Sequence, residues 1–385
     1  MSSNVIFLGA TDNYPAKFTA TNSKNELIAR GLLNHTDKVS IINSPFGLSG
    51  LPATGQTGTR EGIEYHIFPK NGKLSLIKNI KSIYKLLKEK RSKAQQNVLI
   101  MEHSYYPFFL LYVFFAKRLN YKTVVTLTEW HLYFPEITPV KRFDFFVFDY
   151  TFGYFVKGIF PISTLLEQKV ARFKKPVLKV PILADFEMLK PVNYDIKDES
   201  AEYFMYCGTA GYFTVIQFII KSFSIFTARG HKQKLKLVLS GSAHMIRKVE
   251  DLITQEGLQG KVVIEQKLPF AKLLEGYQYA LALLIPLRPD KQDKARFSHK
   301  IGEYLSSGRP IITGNIGEIE YYFEHKKNAL VATEYTEEAY ADLMSLAAND
   351  KQLANSVGLE GRKLGETTFN YTTYGQLTHD FLNKL

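Results

Sequence analysis

Short apolar runs that end at turns alternate with longer stretches of helical period along nearly the whole chain. This is the pattern of βαβ units around parallel sheets, whose strands are covered on both faces and therefore read as continuous apolar runs. The first half predicts strands over 5–8, 39–43, 98–102, 122–127, 159–162 and 178–181. The text over 185–201 (DFEMLKPVNYDIKDESA) then turns polar and irregular, as a linker between domains does. A second series follows over 203–207, 236–240, 262–265, 281–286, 310–313 and 329–332, each run preceding a plausible helix, and 371–385 predicts a closing helix with its own apolar face. Two open α/β sheets are expected, in which ligands bind beyond the carboxyl ends of the strands, so the cleft between the two lobes is the expected site.

A length of 385 residues suits two domains of common size, and 45% hydrophobic with 22% charged residues is enough apolar material for packed cores. Cys207 is the sole cysteine, which excludes a disulfide framework and a thiolate metal cluster. The opening MSSNVIFLGATDNYP reads as a first strand rather than an export signal, and the longest apolar run, 107–116, is well short of the ~20 residues that span a bilayer. A cytoplasmic protein is expected, with attachment to the inner face of the membrane as a further expectation. The net charge of +12 attracts polyanions in general: nucleic acid, anionic lipid or a phosphorylated substrate. Much of it lies in 70–93, where Leu74, Ile77, Ile80, Tyr84 and Leu87 fall at helical spacing among lysines. That helix either packs on a sheet or adsorbs to an anionic membrane.

Residues 296–308 (RFSHKIGEYLSSG) carry the clearest chemistry. Ser298 is placed to cap a short helix and Gly308 to stop it in the left-handed conformation. Lys300 and Glu303, three apart, then share a face. A helix N-terminus with a lysine suits a diphosphate, and a carboxylate one turn deeper can accept two hydrogen bonds from vicinal sugar hydroxyls. A plain surface Lys–Glu pair is the alternative.

The stretch SHKIGEYLSSGRPIITGNIGE (298–318) resembles the donor-site signature of the retaining GT-B-fold glycosyltransferases of the family-4 (glycosyl transferases group 1) type, with Lys300, Glu303, Tyr304, Gly308, Pro310, Ile311 and Ile312 in register and Gly317-Glu318 after them. The resemblance runs in order through the C-terminal half: the turn at Cys207-Gly208-Thr209, LVLSGSA at 237–243, VVIEQKLP followed by LLEGYQYA, and FNY at 369–371. It implies two Rossmann-like parallel-sheet domains, an acceptor-binding one over 1–184 and a nucleotide-sugar-binding one over 185–370, with 371–385 crossing back as a helix. It also implies a metal-independent, hexosyltransferase-type enzyme that uses a UDP- or GDP-sugar as substrate, with no cofactor. Glu303 would bind the donor ribose, Lys300 and Arg288 the diphosphate, and the backbone at Lys267 and Leu268 the base. Gly208, Thr209, Gly241, Ser242, Ser298 and His299 would complete the donor site. The acceptor implied is a glycan or a lipid-linked glycan of cell-surface polysaccharide synthesis.

Two departures stand out. Many relatives carry a second glutamate eight residues before the one matching Glu303, where this chain has Ala295, with Asp293 nearby but out of register. The Arg and Lys that often follow the first glycine turn are absent from GTAGYFTVIQFIIKSF. In the first lobe, acceptor candidates are polar residues at strand ends: Asp12, Asn13, His103, Glu129 and His131. The aromatic stretch 143–154 (FDFFVFDYTFGY) reads as core packing, with an acceptor groove or a membrane interface as alternatives. No Asp-x-Asp motif or His/carboxylate spacing that would hold a metal is present. The first strand leads into GATDNYPA rather than Gly-x-Gly-x-x-Gly, which argues against a nicotinamide enzyme. A nucleic-acid-binding or non-catalytic protein, and a sugar-nucleotide epimerase, remain competing classes; no recognised nucleic-acid module appears, and no nucleic-acid partner is expected.

Overall fold

The computed structural model describes residues 3–9, 14–15, 19–35, 38–44, 54–69, 73–102, 105–134, 137–192 and 202–385. The chain divides into two compact units. The first comprises Met1–Leu183, Ala295–Phe297 and Tyr371–Leu385, and the second Ala184–Lys294 and Ser298–Asn370.

The first unit holds strands β1 (Ser3–Gly9), β2 (Lys38–Asn43), β3 (Gln56–Arg60), β4 (Ile63–Ile67), β5 (Gln96–Met101), β6 (Lys122–Leu127) and β7 (Gly158–Pro161), in the spatial order β3-β4-β2-β1-β5-β6-β7. All pairs are parallel except β3 with β4. Every residue of β1 is buried, because helices cover both faces of the sheet. The antiparallel β3–β4 hairpin was not expected from the sequence. Its two-residue turn, Glu61-Gly62, has both φ angles positive (49° and 76°), as a hairpin of this length requires. Strand β3 is exposed along most of its length, so it carries no apolar signal. Conversely, residues 178–181 form no strand; only Val177 makes an isolated bridge, to Ile159.

The lysine-rich segment forms the helix Lys73–Lys90. Over 78–90, Ile83 and Leu87 are fully buried and Tyr84 packs edge-on against Phe115, so the apolar face of that stretch is spent on the core while Lys78, Lys81, Lys85 and Lys88 are left outside. The closing helix Tyr371–Lys384 packs on the first helix of the chain, Ala20–Leu33, which is capped by Thr19. The two approach so closely that a Cβ on Gly375 would lie 2.3 Å from the Gly31 carbonyl oxygen.

The helix Pro139–Phe155 departs from the core-packing reading of its sequence. Phe148 and Phe152 are fully buried, yet Phe143, Phe146, Tyr150 and Tyr154 on the opposite face are exposed.

The second unit holds β8 (Tyr203–Thr209), β9 (Lys234–Ser240), β10 (Val262–Glu265), β11 (Ala282–Ile285), β12 (Ile311–Gly314) and β13 (Leu330–Ala332), all parallel, in the order β10-β9-β8-β11-β12-β13. With β3 set aside, both sheets have the Rossmann order, in which the chain reverses direction beside the first strand. In the second unit that switch point lies between β8 and β11.

Candidate functional site

The sequence-selected donor residues fall around the carboxyl ends of the second sheet. Gly208 and Thr209 end β8, beside Leu239 and Ser240 of β9 in register. Gly241 follows β9 and lies against Ala210, whose Cβ would be 3.0 Å from a Cβ placed there. Ser242 caps the helix Ala243–Gln255, its side chain accepting from the Met245 N–H. Lys267 and Leu268 follow β10, Lys267 in the left-handed conformation (φ 54°). Leu268 lines a cavity of about 280 Å³ with Tyr203, Met205, Lys236 and Glu265.

The helix carrying the signature runs Lys300–Ser307 and ends at Gly308, whose φ of 72° makes it the left-handed stop expected. Its start differs from the expectation: the cap position is His299, with no side-chain cap, and Ser298 takes part through its backbone carbonyl, which accepts from the Ile301 N–H. The peptide chain turns into the helix one residue later than a Ser298 cap would require.

Glu303 is partly buried, and Tyr277 of the helix Phe270–Tyr279 donates its O–H to Glu303 Oε2 at 3.3 Å. Burial pushes the Glu303 carboxyl above the usual carboxylate range, while the charge of Lys300 and the Tyr277 hydrogen bond pull it back. Lys300 Nζ also lies over the Tyr206 ring, 5.6 Å from its centroid. Tyr304 accepts the Cys207 backbone N–H at 3.2 Å through its hydroxyl, which ties the helix to the glycine turn of β8. The Tyr277 and Tyr304 rings meet edge to face, with centroids 5.0 Å apart, and both are wholly buried. Burial raises the Cys207 thiol as well, with Lys300 opposing. Tyr277 therefore positions Glu303, a role sequence reasoning missed; a tyrosine on a neighbouring amphipathic helix carries no signal that it meets a carboxylate 26 residues away.

Arg288 follows β11 and is held by acids rather than displayed. Its Nε donates to Asp293 Oδ2 at 3.0 Å, its Nη2 to Asp293 Oδ1 at 3.1 Å, and its backbone N–H to Asp293 Oδ2 at 2.8 Å. Asp290 adds a contact at 3.3 Å. The hydrogen bonds it donates to Asp293 raise the guanidinium above its ordinary value. Asp293, which lies out of register with the glutamate of many relatives, is thus the arginine's partner. Ala295 is fully buried and its carbonyl accepts from Ser163 Oγ at 2.5 Å.

In the first unit, Asp12, Asn13 and His103 lie outside the described residues. Glu129 is partly buried after β6. His131 begins a short 3₁₀ turn and sits among aromatic rings, with centroids 5.3 Å from both Phe134 and Phe145 and 6.4 Å from Phe148.

Residues 195–364 match the family described as Glycosyl transferases group 1. No curated protein matches the chain. Among solved structures, the fold is similar to a glycosyltransferase from Rickettsia africae ESF-5 (13% identity, TM-score 0.72, covering 100% of this chain and 99% of that one). It is also similar to sucrose-phosphate synthase from Thermosynechococcus elongatus (13% identity, TM-score 0.75, 99% and 98%). A third similar structure is Anabaena HepE in complex with UDP and glucose (12% identity, TM-score 0.71, 99% and 100%). The match to the Glycosyl transferases group 1 family thus lies over the part of the chain that carries Lys300 and Glu303, and with its two Rossmann-type sheets the chain has the GT-B fold of these solved structures.

Proposed function

We propose that the chain transfers a hexose from a UDP- or GDP-sugar to a hydroxyl of a glycan or lipid-linked glycan, with retention of anomeric configuration and without a metal, in the synthesis of a cell-surface polysaccharide at the cytoplasmic face of a membrane. The observation that carries this reading is the pairing of Glu303 with Lys300 on one helix, Glu303 steadied by Tyr277. The carboxylate accepts the two ribose hydroxyls, and the ammonium faces the diphosphate. As the bond from the anomeric carbon to the diphosphate oxygen breaks, negative charge builds on that oxygen, and a fixed cation there stabilises the transition state more than the ground state. The acceptor oxygen bonds to the anomeric carbon on the face that the diphosphate leaves, and its proton passes to a phosphate oxygen. UDP and UDP-glucose are the ligands named for structures of HepE, which supports uridine as the first base to try. Glu129 and His131 are the acceptor-side candidates within the described residues, with Glu129 favoured because aromatic packing accounts for His131.

The test is thermal-shift or calorimetric binding of UDP-, GDP-, CMP- and dTDP-sugars, without added metal, to the wild type and to Glu303→Ala. One donor is expected to stabilise the wild type selectively. The substitution removes two hydrogen bonds to a charged acceptor, about 3 kcal/mol in total, so the donor should bind roughly a hundredfold more weakly. A folded wild type that binds none of the four refutes the proposal.

A further inference from the structure

The helix Pro139–Phe155 presents to solvent the kind of surface that globular proteins usually bury. Phe143, Phe146, Tyr150 and Tyr154 stand three, four and four residues apart, which places them on one face of the helix. All are well exposed, Phe143 at 69% and Tyr154 at 63%. Val140 continues the stripe towards the N-terminus. The stripe is not a remnant of a poorly packed helix, because the opposite face is filled by Phe148 and Phe152, which stack on each other with centroids 4.9 Å apart.

Charge on this helix is sorted as sharply as its rings. Both of its acids are turned inward and matched: Asp144 accepts the Tyr106 N–H at 2.9 Å, and the fully buried Asp149 pairs with Lys169 at 2.9 Å. Its basic residues, Lys141 and Arg142, are exposed. Arg172 adds a third cation, with its guanidinium 4.5 Å above the Tyr150 ring. The outward face of the helix is therefore aromatic and positive, with no carboxylate of its own.

We propose that this face docks on an anionic lipid surface, with the aromatic rings entering the headgroup region and Lys141, Arg142 and Arg172 meeting lipid phosphates. Rings of this kind favour the boundary between headgroup and hydrocarbon, and flanking cations add attraction to anionic lipid. A second copy of the chain is a poorer occupant, because opposing two such faces brings like charges together across the contact. The proposal deepens the peripheral membrane placement proposed above and rests on it. It transfers the attachment from the lysine-rich helix Lys73–Lys90, whose Ile83 and Leu87 are buried, to a helix whose outer aromatic stripe is exposed.

The experiment is co-sedimentation of the full chain with vesicles of phosphatidylcholine alone and of equal parts phosphatidylcholine and phosphatidylglycerol, with donor-sugar thermal shift measured on the same samples. Binding is expected only to the anionic vesicles and should weaken with salt. Phe143→Ser with Phe146→Ser, and separately Lys141→Glu with Arg142→Glu, should each lower partitioning at least tenfold while leaving the donor-sugar shift unchanged. Failure to bind anionic vesicles, or binding that neither double substitution weakens, overturns the docking proposal whatever the donor-sugar result. Concentration-dependent self-association abolished by the serine pair also overturns it, by assigning the face to a second copy or, if an acidic protein competes, to a protein partner.

Discussion

Gly375→Ala tests the closest helix contact in the first unit. In a helix interior, alanine is normally favoured over glycine by about 1 kcal/mol, so local propensity alone predicts a more stable protein. The structure predicts the opposite. The new Cβ would lie 2.3 Å from the Gly31 carbonyl oxygen, 2.4 Å from its carbon and 2.6 Å from its Cα. These are backbone atoms that cannot rotate aside, so the helices must separate by about 1 Å to reach ordinary contact distance. Separation also strains the links that seat the closing helix: Arg30, which donates to the Tyr371 hydroxyl at 3.1 Å, and Gln96, which donates to the Leu382 carbonyl at 2.7 Å. Overpacking of this kind costs about 1–3 kcal/mol and exceeds the propensity gain over most of that range. With the propensity gain subtracted the net cost centres on about 1 kcal/mol, so the expected outcome is a fall of roughly 2–4 °C, and at most about 8 °C, in the first unit's unfolding temperature, given about 2–4 °C per kcal/mol for a unit of this size. Faster hydrogen exchange in Tyr371–Lys384 should accompany it, with Ser298–Asn370 unaffected. Gln376→Ala, at the exposed neighbouring position, controls for propensity. If Gly375→Ala raises the unfolding temperature, the close crossing is wrong.

The first unit also buries Lys24 completely, together with the carboxyl of Glu102; burial pushes the lysine down to about 8 and the glutamate up to about 7, each opposed by the other's charge. Glu102's contribution to stability is present at acid pH and lost as pH rises towards 7, whereas Lys24's is present in alkali and lost as pH falls through 8. The pair is thus least favourable near neutrality. Lys24→Met with Glu102→Gln should flatten the dependence of unfolding temperature on pH between 5 and 7 and gain roughly 1–4 kcal/mol at neutral pH, whereas Lys24→Met alone should move Glu102's titration higher; an unchanged pH profile in the single variant would contradict this. In the second unit, Arg362 donates to the carbonyls of Phe186, Leu189 and Ser306 and to Glu366. Arg362→Ala strands three of those carbonyls and should destabilise the unit by about 3 kcal/mol in urea unfolding, with Arg362→Lys recovering only part; a loss under 1 kcal/mol would show that water replaces the guanidinium freely.

Much of this protein was readable from its sequence, because the features concerned are local. The parallel strands announce themselves as unbroken apolar runs such as VIFL in β1 and ALLI in β11, since helices on both faces leave no polar side to alternate with. Lys300, Glu303 and Gly308 were placed on one short helix and its stop by spacing alone, since three residues separate neighbours on a helical face. What the sequence could not decide depends on partners distant along the chain. The β3–β4 hairpin stays hidden because its outer strand is polar and pairs on one side only. Tyr277 reaches Glu303, and Asp293 captures Arg288, through folding that no local period encodes. The helix Pro139–Phe155 has aromatic residues all around it, so its period cannot say which side faces the core. Only the packing of Phe148 and Phe152 inward, with Asp149 brought to Lys169, leaves Phe143, Phe146, Tyr150 and Tyr154 outside, because tertiary contacts determine which of two apolar faces is covered.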